Sequence, residues 1–155
     1  METGHRYRVI AWWSSGKTGL AKSDSAPTAI HFTAPPGFGG MEGRWTPEDL
    51  LLCAVASCYT TTFRALADYD NMQYSDLSVE VDGTVRKADS GYEFQEIVIR
   101  PILSISGQGE PSRALRLLQK AKTICLVSRS LSVEQKFEPQ LNVGQSRVEL
   151  DHVCP

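Results

Sequence analysis

The chain has 155 residues, 41% of them hydrophobic and 22% charged, with a formal net charge of −2. These values fit one globular domain with a real core and exclude an intrinsically disordered chain. No basic field argues for nucleic acid, and no apolar run reads as approaching the roughly 20 residues of a membrane span. Met1 to Arg6 lacks a signal-peptide core, so a cytoplasmic location is expected.

Arg6 to Trp13 has strand composition, Ser14 to Gly19 reads as a turn, and Leu20 to Ser25 returns as the second arm of a hairpin. Ala29 to Thr33 is a third short strand. The glycine- and proline-rich stretch Ala34 to Gly43 is an irregular loop of the kind that walls a site. Thr46-Pro47-Glu48-Asp49 then opens a helix: Thr46 suits the N-cap, Pro47 the first helical position, and two carboxylates suit the positive end of the dipole. The helix is expected to run to Tyr69, with Asp70-Asn71 ending it. Leu50, Leu51, Leu52, Ala54, Val55 and Ala56 make its first half apolar nearly all round, which implies burial in a subunit interface as well as in a core.

Leu77 to Val85 alternates with period two and reads as a half-exposed strand; Lys87 to Gly91 is a turn. Tyr92 to Ser106 is one long strand, or two broken near Pro101, where an edge or bulge is expected. Glu110-Pro111-Ser112 opens a second helix with Leu115, Leu118 and Lys122 on one face, extended by Leu117, Ala121 and Ile124. Cys125 follows that face, Val127 to Leu131 continues as a short helix, and Val133 to Glu138 is a closing strand. Residues 1–143 are thus expected to form a single domain, and 144–155 a polar tail.

The cysteines lie at 53, 58, 125 and 154. In a cytosolic chain they do not read as a disulfide frame. None forms a Cys-x-x-Cys pair, and His5, His31 and His152 do not cluster with them, so neither a metal site nor a cofactor is expected. Cys58 taken alone reads as a small buried hydrophobe. Cys53, five residues and a net 140° around the helix from it, reads as structural. A reactive Cys58 needs cationic or dipolar neighbours. Glu48 opposes a thiolate unless it anchors a cation, for which Arg44 is the first candidate and Lys17 the second. Phe38, Trp45 and Tyr59 are candidate apolar walls. No histidine is placed to serve as the base of a hydrolytic or transfer reaction.

Thr46-Pro47-Glu48-Asp49-Leu50-Leu51, then Ala54-x-Ala56-Ser57-Cys58-Tyr59, then Cys125-x-Val127-Ser128 together resemble the OsmC/Ohr family of osmotically induced and organic hydroperoxide resistance proteins. The resemblance implies an α+β fold in which two long central helices are wrapped by antiparallel strands in an intertwined homodimer. It also implies thiol-dependent reduction of organic hydroperoxides, with an external dithiol as reductant. Carried over by position, Cys58 is the peroxide-attacking cysteine, Cys125 its resolving partner in a disulfide, and Glu48 the holder of the active-site arginine. The chain departs from that pattern in three places. Lys17 stands where one branch has the arginine, Phe38 where the other has it, and Leu126 where many members have proline. These departures leave open a dimeric stress-protection or ligand-binding module that keeps the fold without efficient turnover.

Overall fold

The computed structural model describes residues 4–144. The expected tail therefore lies outside the described residues from 145 on, as does Cys154. The chain divides into two compact units, one up to Leu51 and one from Leu52 on.

In the N-terminal unit, β1 (Val9–Ser15), β2 (Thr18–Ser23) and β3 (Ile30–Phe32) form an antiparallel sheet in sequence order. Ser15 pairs with Thr18, leaving Gly16-Lys17 as a two-residue turn, and Gly16 takes φ +54 at the position where such a turn favours glycine. Gly19 lies under the Phe32 ring, so closely that a Cβ there would meet the ring carbons. Thr33 is fully buried and ties the loop down: its hydroxyl donates to Lys17 O at 2.8 Å and accepts from Met41 N at 3.1 Å. The loop carries one 3-10 turn at Pro36–Phe38. All seven residues of β1 are nevertheless exposed, Trp12 at 42% and Trp13 at 59%.

Helix α1 spans Pro47–Tyr69, and its ends follow the sequence signals. Asp49 N donates to Thr46 Oγ1 at 3.2 Å while Thr46 N donates to Asp49 Oδ2 at 3.0 Å, a reciprocal capping box with aspartate in the glutamate position. At the other end Asn71 adopts φ 50, Met72 N donates to Ala67 O at 2.9 Å and Asn71 N to Asp68 O at 3.3 Å. That is a Schellman stop built on asparagine instead of glycine. By length and composition alone α1 could cross a membrane, its most apolar 18-residue window having a mean hydropathy of 1.4. The sequence reading of no such run therefore underrated it. Only the stripe Val55, Tyr59, Phe63 and Ala67, spaced by four, is buried.

In the C-terminal unit, β4 (Asp76–Ala88) and β5 (Gly91–Ile105) form a long antiparallel hairpin, followed by α2 (Pro111–Ile124), α3 (Leu126–Arg129), β6 (Glu134–Phe137) and β7 (Gln140–Val143). The sheet departs from the expected all-antiparallel wrapping, because β6 and β7 run parallel to β5. The helices carry the chain back across the sheet, so it re-enters in the direction of β5. Pro101 does not break β5. It occupies the gap between the stretch paired with β6 (Glu96 to Ile99) and that paired with β7 (Ile102 to Ile105). The bulge of β5 lies instead at Gln95, which is skipped where Thr84 pairs with Glu96 and Val85 with Phe94. The core joins the α1 stripe to Ile97, Ile99, Leu103 and Ile105 of β5 and to Ala114, Leu117, Leu118 and Ala121 of α2. Leu115 and Ile124, expected on the apolar face of α2, are exposed; Ala114 takes that place, so the stripe lies one residue round from the predicted one.

Candidate active site

Cys58 and Cys125 meet because the backbone between α2 and α3 breaks at Cys125. Cys125 is both the last cap of α2 and the first cap of α3, with φ −57 and ψ 112. That extended backbone leaves the N–H groups of Leu126 and Val127 without intrahelical acceptors. They turn to the Cys58 sulfur on α1: Val127 N donates to Cys58 Sγ at 3.5 Å, and the Leu126 N–H also reaches it. Cys125 itself is fully buried in the core, Cys58 is half-buried, and both are free thiols.

The two sulfurs are electrostatically unequal. Burial pushes the Cys58 thiol up, but donors outweigh it: the Val127 N–H, the Cys125 thiol, the Thr62 hydroxyl and the Leu126 N–H hold Cys58 below its ordinary value. Burial also pushes Cys125 up. The Ser128 N–H and hydroxyl oppose that without cancelling it, and the proximity of Cys58 adds to the rise. The outcome is one thiol that ionises more readily than the neighbour that donates to it.

The supports of this pair are in the core. Tyr59 is fully buried, its hydroxyl donates to Leu118 O at 2.8 Å, and its ring centroid lies 6.0 Å from that of Phe137. Its hydroxyl is held well above the usual phenol range by burial and then by Cys125. As a fully enclosed residue Tyr59 offers no surface of its own to a substrate, so the placement expected of a wall is corrected to a core position beside the sulfurs. Gln135 on β6 pins α3 through Nε2, which donates to Ser128 O at 2.7 Å, while its Oε1 is buried without a partner.

Cys53 is exposed, in contrast to the structural role expected of it; the 140° that separates it from Cys58 turns it away from the core stripe. Phe38 and Trp45 of the N-terminal unit are more than half exposed. Glu48 Oε2 is buried and has no hydrogen-bond partner. Among the described residues neither Arg44 nor Lys17 makes an ion pair with it or with any other carboxylate. Glu48 and Cys58 are ten residues apart on α1, a rise of about 15 Å along a helix axis. Among the described residues no three His, Cys, Asp or Glu side chains cluster as a metal site would require.

Residues 39–140 match the model of the OsmC-like protein family, a stretch that contains Glu48 and both cysteines. The chain belongs to the OsmC-like family. Among its relatives, the Bacillus subtilis protein YmaD, itself uncharacterized, is 24% identical over 145 residues, covering 90% of this chain and 97% of YmaD. Among solved structures, an OsmC-like protein of unknown function from Vibrio cholerae superposes with a TM-score of 0.76 at 17% identity, covering 88% of this chain and 99% of that one. An organic hydroperoxide resistance protein from Elizabethkingia anophelis superposes with a TM-score of 0.73 at 17% identity, covering 92% and 99%. At these identities the likeness shows the OsmC-like α+β fold alone.

Sequence reasoning missed three contributors to this OsmC-like site: Thr62, the Leu126 N–H and Gln135. Thr62 carried a legible signal, since it follows Cys58 by four residues and so shares its helix face. The Leu126 N–H and Gln135 carried none, because they reach the site through the backbone break at Cys125 and through the parallel entry of β6.

Proposed function

We propose that this chain is a cysteine-based peroxidase of organic hydroperoxides. The observation that carries the reading is the Val127 N–H donating to the Cys58 sulfur at 3.5 Å beside buried Cys125, an arrangement that lowers the Cys58 thiol from its ordinary value while burial raises that of Cys125. The Cys58 thiolate attacks the terminal peroxide oxygen, the O–O bond breaks, and the alkoxide leaves and takes a proton as the alcohol. Cys58 is then a sulfenic acid. Cys125 sulfur displaces its hydroxyl, giving a Cys58–Cys125 disulfide and water. An external dithiol restores both thiols by exchange and is itself oxidised to a disulfide. No metal or organic cofactor enters this cycle, and a reducing compartment such as the cytoplasm suits the dithiol step.

The reading includes a homodimer. The 15 Å rise between Glu48 and Cys58 supports a site in which Glu48 of one copy, holding Arg44 or secondarily Lys17, faces Cys58 of a second copy. The buried, unpartnered Glu48 Oε2 supports the same arrangement, since a carboxylate oxygen in that position gains most from a guanidinium. Exposed Phe38 and Trp45 would then supply apolar wall to an alkyl group, with Tyr59 behind the sulfurs. A second reading, a dimeric stress-protection or ligand-binding module with little turnover, is favoured by the lack of an ion pair at Arg44 and Lys17 among the described residues of one chain.

Intact mass decides between the two. Addition of one equivalent of an organic hydroperoxide to the reduced protein is expected to remove two hydrogens, to do nothing to Cys58→Ser, and to leave a sulfenic acid on Cys58 in Cys125→Ser. A wild type that stays fully reduced would rule out the peroxidase. A monodisperse monomer at micromolar concentration by light scattering would rule out the dimer.

A further inference from the structure

Strand β6 carries one residue that breaks its own pattern. Glu134 and Lys136 are exposed, while Gln135 and Phe137 alternate with them and are half-buried. A strand position on the core side ordinarily takes an apolar side chain. Phe137 obeys, its ring centroid 6.0 Å from that of Tyr59. Gln135 instead places an amide there. Its Nε2 donates to Ser128 O at 2.7 Å, and its Oε1 is buried without a partner. Turning the amide round gives no relief, because Ser128 O can only accept. A buried acceptor left unpaired costs stability, and in a native fold it calls for an explanation. The need of Ser128 O for a donor does not supply one, since that oxygen also takes the Leu131 N–H at 3.2 Å. Nor does packing, which an apolar side chain of the same length would serve as well.

What the Gln135 bond holds is α3. That helix has four residues and follows the extended backbone of Cys125, so it is too short to keep its place by its own hydrogen bonds. Gln135 grips its third residue, Ser128, and the residue before, Val127, donates its N–H to Cys58 Sγ at 3.5 Å. The grip comes from a fixed point, because Gln135 is in register with fully buried Ile97 of β5. We propose that Gln135 is a positioning residue of the thiol site, its Nε2 holding α3 against β6 so that the Val127 N–H stays on the Cys58 sulfur. The proposal rests on the peroxidase reading for the choice of Cys58 as nucleophile, and it names the side chain that keeps that nucleophile's backbone donor in place. Gln135 acts through Ser128 and Val127. Its unpaired oxygen is tolerated for reactivity at the expense of stability. The titratable groups packed beside the sulfur are Cys125 and Tyr59, whose hydroxyl is committed to Leu118 O. On β6 itself, exposed Lys136 pairs with Glu96 at 2.6 Å.

The test is Gln135→Met in the full chain, with no peroxide present. Methionine keeps the length of the side chain and removes both the donor and the unpaired acceptor. The variant is expected to melt at or above the wild-type Tm. Its Val127 amide is expected to exchange with deuterium roughly threefold faster by NMR, while the Phe63 amide within α1 exchanges as before. Alkylation of Cys58 by iodoacetamide, read peptide by peptide by mass spectrometry, is expected to slow roughly threefold below its pH midpoint, part of the roughly fivefold that a whole hydrogen bond is worth. The midpoint moves up, because a loosened donor leaves the thiolate less stabilised. Lys136→Ala, which breaks the ion pair with Glu96 on the same strand, is expected to leave Cys58 alkylation where it was. The proposal is overturned if either Val127 exchange or Cys58 alkylation in Gln135→Met matches the wild type, or if Lys136→Ala slows alkylation as far. A lowered Tm overturns it too, since Gln135 would then be a stability residue. Should Gln135→Met show no cooperative melt, Gln135→Leu decides by the same criteria. Because no peroxide is used, failure of the peroxidase reading shows separately, as an unchanged mass on hydroperoxide addition with the Gln135 effects intact.

Discussion

Two strands of similar composition have opposite fates. In β5, alternate residues from Ile97 to Ile105 are sealed against α1 and α2. In β1, Val9, Ile10, Trp12 and Trp13 are all exposed, although tryptophan pairs at this density normally anchor a core. The same contrast runs through the polar chemistry. Cys58 and Cys125 have their hydrogen-bond partners within the C-terminal unit, whereas the buried carboxylate oxygen of Glu48 in the N-terminal unit has none. The thiol pair of the C-terminal unit is thus partnered within one chain, although Gln135 Oε1 of that unit is also buried without a partner. The N-terminal unit presents an apolar sheet and an unpaired carboxylate, both of which a second copy would satisfy under the dimeric reading.

The largest effect should come from damaging the packed core of the C-terminal unit. Leu118 is fully buried, and its carbonyl accepts from Tyr59. Leu118→Ala removes three carbons from a sealed core and is expected to cost about 2–5 kcal/mol by denaturant unfolding. Loss of less than 1 kcal/mol would show that α2 is not packed as described. The corresponding damage to β1 should look different. Trp12→Ser with Trp13→Ser is expected to leave a cooperative unfolding transition but to halve the mass seen by light scattering, because under the dimeric reading the surface lost serves a second copy. If the double variant keeps the wild-type mass, the exposed sheet is not the dimer contact. If it loses its fold altogether, β1 belongs to the core of its own chain.

The contrast also explains what the sequence could reveal. Local signals were read well: the Thr46-Pro47 start of α1, the Asp70-Asn71 stop, the strands β1 to β5 and the opening of α2 all depend on short-range chemistry. So did the placement of Cys58 and Cys125 on their elements, which two separated motifs made specific. Features that depend on distant chain returns were not legible. The strand Val133 to Glu138 read as the closing one, yet the chain resumes as β7 on the same edge of β5, with Pro139 marking the break between β6 and β7. The exposure of Cys53 and the enclosure of Tyr59 were likewise set by which stripe of an all-round apolar helix meets the sheet. Periodicity cannot choose that stripe when every face is apolar.

The smallest predicted effect tests whether the thiol half is complete on its own terms. Leu126 is exposed, so its side chain contributes little packing, and its N–H is the first of α3. A proline suits the first position of a helix, where the N–H has no intrahelical acceptor. Cys125, at φ −57 and ψ 112, already holds the extended backbone that a following proline demands. Leu126→Pro therefore deletes one donor to the Cys58 sulfur with little change in fold. Cys58 is favoured as thiolate partly by that donor, so its loss raises the pKa and the thiolate survives to less acid pH only. The expected outcome is a midpoint for Cys58 alkylation raised by about 0.7 of a unit, given that one unit is worth about 1.4 kcal/mol and a neutral hydrogen bond about 1. Leu126→Ala, which keeps the N–H, should titrate like the wild type. Equal shifts in the two variants would mean that the Leu126 side chain, and not its backbone, bears on the sulfur.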